Sequence, residues 1–458
     1  MDLDSSVLAT LEAIYEPSSL ELQARRYQEA IETFRATYGP GPVAIYRCPG
    51  RVNLIGEHTD YNQGFCLPAP LDRDLLLLAR PRADHQVVLH NAEPDAFPPR
   101  RFTLSAEIPS APPGDWSNYA RGAGQKLWRE FGPLRGFDGL VVGHAPLGVP
   151  RGAGVSSSTA LTVVTAIALA DVNDIHPPPD QFALLCSEAE WYVGTRGGVL
   201  DQFATLLGRQ GHALFLDCQP RVTPEGERRF HVSWVPLLPG YVWVLVDSQV
   251  RHRHVGGPFN VRVAEGRLGA ACLARVYAGI KTLRDAQDLP WSDLEPLLPE
   301  TTTVEALVGQ GIAVADWLGD LTVAADAPLK IRSRCRHVYS ENERVLASVE
   351  AWRSEDAHRV GELLNQAHVS LRDDYEVSCP EIEILRDLIL ACDGVLGARM
   401  VGGGWGGCVV ALVNQGAEDE LIERVLPTYE QKTQRRATAF VCQTSAGAGR
   451  VGPGWSST

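Results

Sequence analysis

An α+β fold in two domains is predicted for this chain, on three observations. Its 458 residues exceed what one ordinary hydrophobic core organises. Segments patterned as strands and helices follow one another without the regular alternation of a doubly wound sheet. The run Leu75-Leu76-Leu77-Leu78 is apolar without a break, so its strand should be covered on both faces.

Apolar residues recur at helical spacing over 20–37 (Leu20, Leu22, Tyr27, Ala30, Ile31, Phe34), which predicts a helix. Strands are predicted at 43–47 and 74–80, on either side of a polar run, and again at 140–142. The Gly- and Pro-rich 146–154 reads as a loop, and 157–172 as a helix. Strands follow at 212–217 and 241–247, amphipathic helices at 341–352 and 380–392, and a short buried strand at 409–413. The tracts 220–228 and 290–300 have linker composition. The domains are expected to divide into 1–240 and 241–458. From Ser445 the tail is Gly/Ser-rich and should fray at its end.

Hydrophobic residues make up 45% and charged residues 21%, a globular rather than disordered balance. No apolar run reaches the ~18 residues a membrane span requires. Met1-Asp2-Leu3-Asp4-Ser5-Ser6 is acidic and lacks the form of a signal peptide. A cytoplasmic protein with no membrane partner is expected. The ten cysteines are scattered, with Cys186, Cys392 and Cys408 in apolar segments, and read as buried thiols. A net charge of −14 without a basic stripe argues against nucleic acid. Small-molecule ligands and a monomer are expected.

The most informative stretch is Pro49-Gly50-Arg51-Val52-Asn53-Leu54-Ile55-Gly56-Glu57-His58-Thr59-Asp60-Tyr61-Asn62. Glu57-His58-Thr59-Asp60 has neither strand nor helix periodicity and reads as a loop. Its carboxylates and imidazole suit a ligand rich in hydroxyls. By residue type alone, a solvated turn with a capping Asp fits as well.

Pro150-Arg151-Gly152-Ala153-Gly154-Val155-Ser156-Ser157-Ser158-Thr159-Ala160-Leu161 leads into the helix at 157. Glycines allow close backbone approach, free N–H groups at a helix start bind anions, and a serine can ligate Mg²⁺. A serine-capped connector is the plainer alternative. No Walker A lysine is present, and the four lysines (Lys126, Lys281, Lys330, Lys432) lie elsewhere. A third block, Gly397-Ala398-Arg399-Met400-Val401-Gly402-Gly403-Gly404-Trp405-Gly406-Gly407-Cys408, marks either a tight bend or a close backbone approach. Gly197-Gly198-Val199-Leu200-Asp201-Gln202-Phe203 sets one carboxylate in an apolar context, as a cap or an acid–base group.

Together these blocks, from Arg47 to Cys408, resemble the GHMP family of small-molecule kinases and, within it, the galactokinases. The resemblance implies an N-terminal ribosomal-protein-S5-domain-2-like domain and a C-terminal ferredoxin-like domain, with the site between them. It implies an ATP-dependent sugar 1-kinase, most simply a galactokinase, with Mg²⁺ as cofactor and ATP as co-substrate. Asp201 corresponds to the catalytic aspartate and Arg51 to the arginine facing it. Arg51, Glu57, His58, Thr59, Asp60, Gly198, Asp201 and Phe259 would meet the sugar. Gly152, Ala153, Gly154, Val155, Ser156, Ser157 and Ser158 would hold ATP phosphates. Trp116 and Asn118, in Trp116-Ser117-Asn118-Tyr119, resemble the segment near the adenine; core aromatics at a helix start fit them equally.

The metal is assigned to Ser158 and Glu190. Glu188 is the alternative, because the two glutamates lie roughly 200° apart on a helix and only one can face the site. The sequence departs from the family pattern in places. Val155 stands for Leu, Thr159 for Ala and Trp405 for Phe, and 191–194 is one residue short. The segment from Asp247 to His252 resembles the strand near the sugar. Phe259, in Gly256-Gly257-Pro258-Phe259-Asn260-Val261-Arg262, keeps the ring of the usual sugar-facing Tyr but lacks its hydroxyl. An N-acetylgalactosamine or other hexose 1-kinase and a non-catalytic sugar sensor are the competing readings.

Overall fold

The structure, a computed structural model, describes residues 3–251 and 257–452; Met1, Asp2, His252, Gly256 and the end of the tail lie outside the described residues. Three sheets organise the chain. The largest has the order Gly449–Val451, Ala44–Asn53, Pro68–Pro81, Phe137–Val142, Gln86–Asn91, Arg100–Thr103. Gln86–Asn91 and Phe137–Val142 run parallel and the other neighbours antiparallel. A second sheet holds Val395–Val401, Cys408–Asn414, Tyr241–Asp247 and Thr438–Cys442, all antiparallel. In chain order its strands are arranged 2-3-1-4, with helices on the crossovers, which is ferredoxin-like. The third joins Phe65–Cys66, His212–Val222 and Arg228–Pro236.

The apolar run at 75–78 is indeed covered on both faces. Leu75, Leu77 and Ala79 belong to one core cluster; Leu76 and Leu78 belong to another, beneath the N-terminal helices. That second cluster forms because Leu20–Tyr38 buries Tyr27, Ala30 and Phe34 along one stripe. Gly39 ends this helix at φ +80, where a side chain would be strained.

Predicted elements match in kind, with longer bounds in the largest sheet. The strand predicted at 43–47 continues to Asn53, with a shift of register between Pro49 and Arg51 that periodicity could not reveal. The tract 220–228 is not a linker; it is the tip of the hairpin joining His212–Val222 to Arg228–Pro236, since turns and linkers share Pro/Gly/charged composition. The tract 290–300 holds the short helix Trp291–Leu294 and buries Leu294 and Leu298 in the C-terminal core, so it is no linker either. The first part of the tail is anchored: Ser445 is fully buried, and Gly449–Val451 pairs with Ala44–Asn53, while the end, where fraying is expected, lies outside the described residues. Nine of the ten free cysteines are buried, as apolar thiols should be. No helix among the described residues is long and apolar enough to cross a membrane.

Candidate active site

Between the two larger sheets lies a cavity of about 440 Å³, and the three sequence blocks meet there. The signature strand ends at Asn53 and the chain turns at Gly56, where φ is +95 and a Cβ would stand 2.5 Å from the Phe65 carbonyl. Three residues of the distant helix Ile331–Arg353 hold this loop by its backbone. The Gly56 N–H donates to Glu341 Oε1 (3.0 Å), the Phe65 N–H donates to Asn342 Oδ1 (2.9 Å), and the Glu57 carbonyl accepts from His337 Nε2 (3.0 Å). All three helix residues are fully buried. Residue pattern offered no signal for them: His337 lies before the helix predicted at 341–352, and polar residues on an amphipathic helix such as Glu341 and Asn342 read as surface.

Arg51, Glu57, His58 and Asp60 line the cavity. Thr59 does not, which corrects the expectation that it meets the sugar. Its hydroxyl donates back to the Gly56 and Phe65 carbonyls (3.0 and 2.7 Å) and fastens the loop from behind. Glu57 reaches across to the third block, accepting from Asn53 Nδ2 (2.6 Å) and from the Gly402 N–H (2.5 Å). His58 sits at φ +62 with Nδ1 2.8 Å from the Tyr61 hydroxyl.

Arg51 and Asp201 form a close pair, Nε to Oδ1 at 2.7 Å, and Arg51 Nη1 also donates to the Gly154 carbonyl (2.6 Å). The other Asp201 oxygen accepts from the Ser156 hydroxyl (2.5 Å) and from Thr159 (3.4 Å). Gly198 must be glycine, for a Cβ there would fall 2.4 Å from Asp60 Oδ2. Burial, followed by the charge of Asp201, pushes the Asp60 carboxyl up to about 7. The same two causes, in the same order, push Glu190 up to about 8. Four carboxylates, Glu57, Asp60, Glu190 and Asp201, thus share a cavity whose guanidinium, that of Arg51, already binds one of them, an environment that favours a bound cation.

Within the phosphate loop only some expected contacts face the cavity. Gly152, Ser157 and Ser158 line it. Ala153 and Val155 turn into the core, because the loop needs apolar anchors beneath it. Gly154 gives its carbonyl to Arg51, and Ser156 its hydroxyl to Asp201. The third block packs backbone to backbone on this loop: a Cβ on Gly154 would lie 2.8 Å from the Val401 carbonyl. Trp116 and Asn118 are corrected too. Trp116 is buried, donates from Nε1 to the Pro98 carbonyl (3.2 Å) and packs edge-on against Phe97. Asn118 bonds the backbone of Ala111 and Pro112. Tyr119, one residue on, lines the cavity instead.

Glu190 and Ser158 both border the cavity, whereas Glu188 faces away and pairs with Lys126 and Arg228, each at 2.7 Å. The two-residue separation has the consequence that helix geometry requires. Among the described residues, no cluster of three His, Cys, Asp or Glu side chains could hold a metal alone. Mg²⁺ does not need one, since it binds through one or two protein oxygens together with substrate phosphates and water. Thr159, Tyr61, Gln202 and Trp191 were not singled out as site residues. Thr159 nevertheless touches Asp201, Gln202 donates to Glu190 (3.0 Å), and Tyr61 and Trp191 line the cavity.

Comparison with known proteins agrees with this architecture. Residues 32–81 match the galactokinase galactose-binding signature, 118–209 the GHMP kinases N-terminal domain and 348–431 the GHMP kinases C-terminal domain. A galactokinase of Roseiflexus sp. (strain RS-1) is 35% identical over 92% of this chain and 97% of its own. One of Streptomyces coelicolor is 36% identical with the same coverage. The crystal structure of Lactococcus lactis galactokinase complexed with galactose superposes with a TM-score of 0.76 at 29% identity, over 92% of this chain and 99% of that one. Methanococcus jannaschii mevalonate kinase, 17% identical, shares the fold with a TM-score of 0.56, over 88% of this chain and 99% of that one. With the signature loop, the glycine–serine loop and the C-terminal glycine block meeting at one cavity, and relatives matching nearly end to end, the chain belongs to the galactokinase family of GHMP kinases.

Proposed function

We propose that this protein transfers the γ-phosphate of ATP to the anomeric hydroxyl of galactose. The observation that carries the proposal is the Arg51–Asp201 pair, 2.7 Å apart between the signature loop and the phosphate loop. Asp201 accepts or orients the sugar hydroxyl proton, while Arg51, paired with it, faces the transferring phosphoryl group. Glu57, His58, Asp60 and Gly198 form the sugar wall; Gly152, Ser157 and Ser158 meet the phosphates. Residues 1–240 supply both loops, and 241–458 supply the glycine block and Phe259. Mg²⁺ fits beside Ser158 and Glu190, where it would neutralise phosphate charge. We read the enzyme as a cytoplasmic monomer, in keeping with its acidic charge and buried thiols. A panel of sugars with coupled ADP detection tests the reading: galactose should be the fastest acceptor. If N-acetylgalactosamine or another hexose is clearly faster, the substrate assignment fails.

Ser158→Ala and Glu190→Ala should each raise the Mg²⁺ concentration at half-maximal rate several-fold, because each removes a hard oxygen. Glu188→Ala should leave it unchanged, since Glu188 is committed to Lys126 and Arg228. The opposite pattern would transfer the metal to Glu188.

Phe259 keeps the other-hexose reading in play. Its ring lines the cavity, 5.7 Å from the His58 ring and 5.3 Å from that of Tyr61. Phe259→Tyr should lower the KM for galactose about two- to tenfold by restoring one hydrogen bond of ~0.5–1.5 kcal/mol. An unchanged KM for every sugar would mean that residue 259 makes no sugar contact.

A further inference from the structure

A chain of three polar groups ends in the cavity. The Tyr375 hydroxyl lies 2.8 Å from that of Tyr61, and the Tyr61 hydroxyl lies 2.8 Å from Nδ1 of His58. Tyr375 is fully buried, and among the described residues its hydroxyl has no second hydrogen-bond partner. Nε2 of His58 is buried with no partner in the protein, although the residue lines the cavity.

Counting hydrogens gives the chain a direction. A neutral imidazole carries one N–H, and each hydroxyl has one hydrogen to donate. Donation from Tyr375 to Tyr61 to His58 Nδ1 uses both hydroxyl hydrogens and puts the imidazole proton on Nε2. The reverse direction protonates Nδ1 and encloses the Tyr375 hydrogen without an acceptor, whereas the first leaves unpartnered only the Nε2 hydrogen, on a residue that lines the cavity, where a bound hydroxyl oxygen can accept it. His337, whose ring centroid is 4.5 Å from that of Tyr375, offers no acceptor: its nitrogens are engaged by Ser370 and by the Glu57 carbonyl. Burial first, then His337, Arg262 and Arg399, hold the His58 imidazole well below its usual value, so the ring is neutral.

We propose that Tyr61, itself held by Tyr375, is a positioning residue that fixes His58 in the Nε2–H tautomer, so that it presents a hydrogen-bond donor to one hydroxyl oxygen of the sugar. The proposal rests on the reading of this cavity as the sugar site. It adds a rule of specificity: the sugar atom opposite His58 must accept, and need not donate. Phe259, beside that imidazole, offers no hydroxyl that could substitute.

The tautomer can be read in the wild-type protein without any sugar. In ¹⁵N-histidine-labelled protein, the His58 signals, identified by their loss in His58→Gln, should report a protonated Nε2 and a bare Nδ1. A protonated Nδ1 overturns the proposal. Tyr61→Phe should mix the tautomers and raise the KM for galactose about two- to tenfold, the effect of one hydrogen bond, with the KM for ATP unchanged. Tyr375→Phe should preserve the tautomer, because Tyr61 still donates. A tautomer unaltered by Tyr61→Phe removes the positioning role, whatever the KM does. Deoxy and deoxyfluoro galactoses supply the third readout, since fluorine accepts but cannot donate. At one ring position the fluoro sugar should retain affinity that the deoxy sugar loses; equal losses at every position mean that His58 does not donate. Failure of galactose as a substrate would overturn the proposed activity while leaving the tautomer result intact.

Discussion

Asp201→Asn is expected to lower kcat by about 10²–10⁴-fold, the range that a positioned acid–base group contributes. The change is nearly isosteric, and the neighbours indicate how the amide will sit. Its oxygen should stay toward Arg51 Nε, now 2.7 Å from Oδ1, because the guanidinium only donates. The NH₂ then takes the place of Oδ2 and faces the Ser156 hydroxyl, which can rotate to accept. The backbone at the start of Leu200–Leu207 need not move. ATP affinity and the unfolding midpoint should therefore be close to wild type, and the loss should appear in kcat. Calorimetry with a non-hydrolysable ATP analogue and single-turnover kinetics would separate these terms. Turnover near the wild-type rate would remove Asp201 from the chemistry. Loss of nucleotide binding together with turnover would instead mean that the phosphate loop depends on this carboxylate through Ser156.

The three motif blocks were legible because their chemistry is local. Glycines in series, consecutive serines before a helix, and an Arg, Glu, His and Asp within ten residues each suggest a purpose without knowledge of the fold. What surrounds them was not legible. His337, Glu341 and Asn342 hold the signature loop from some 280 residues away in the chain. On sequence Glu341 and Asn342 are ordinary polar positions of an amphipathic helix, and His337 lies before the helix predicted at 341–352. Thr59 and Asn118 turn to the backbone instead of lining the cavity for a related reason: a buried loop must satisfy its own backbone, and small polar side chains do this most readily. Trp116 has the composition of a base-stacking residue, but only three-dimensional packing distinguishes that from a core indole. Many bounds followed periodicity, but the helix predicted at 341–352 begins at Ile331, the strand predicted at 74–80 begins at Pro68, and at Pro49-Gly50 a shift of register breaks the alternation inside a continuing strand.

Asp74→Asn is expected to destabilise the fold by about 3–5 kcal/mol, the typical effect of breaking a buried ion pair by removing one partner. Asp74 is fully buried beneath the N-terminal helices, on the strand Pro68–Pro81, none of whose residues lines the cavity. Its Oδ2 accepts from Arg47 Nε (2.5 Å) and from the Tyr15 hydroxyl, and its Oδ1 accepts from Arg26 Nη1 (2.7 Å). Arg47 donates onward to Ser445 Oγ (2.5 Å) and to the Ala446 carbonyl (2.7 Å), which ties the tail to the first sheet. One carboxylate thus compensates two buried guanidiniums, and a neutral amide would leave both without a counter-charge. Burial alone would raise the Asp74 carboxyl, but Arg47 and Arg26 outweigh it and hold the group below its ordinary value. A depressed folded-state value means that the stabilisation is present above the unfolded carboxylate value of about 3.9 and is lost as pH falls through the folded one. In urea unfolding, the gap between wild type and variant should be full at pH 7 and narrow below roughly pH 4. Because total stabilities are only about 5–15 kcal/mol, the variant should remain folded but with a much lower midpoint, and its KM for both substrates should be nearly unchanged. A midpoint within experimental scatter of wild type at pH 7 would mean that water or a shifted arginine replaces the carboxylate, and the buried cluster would then contribute little to stability.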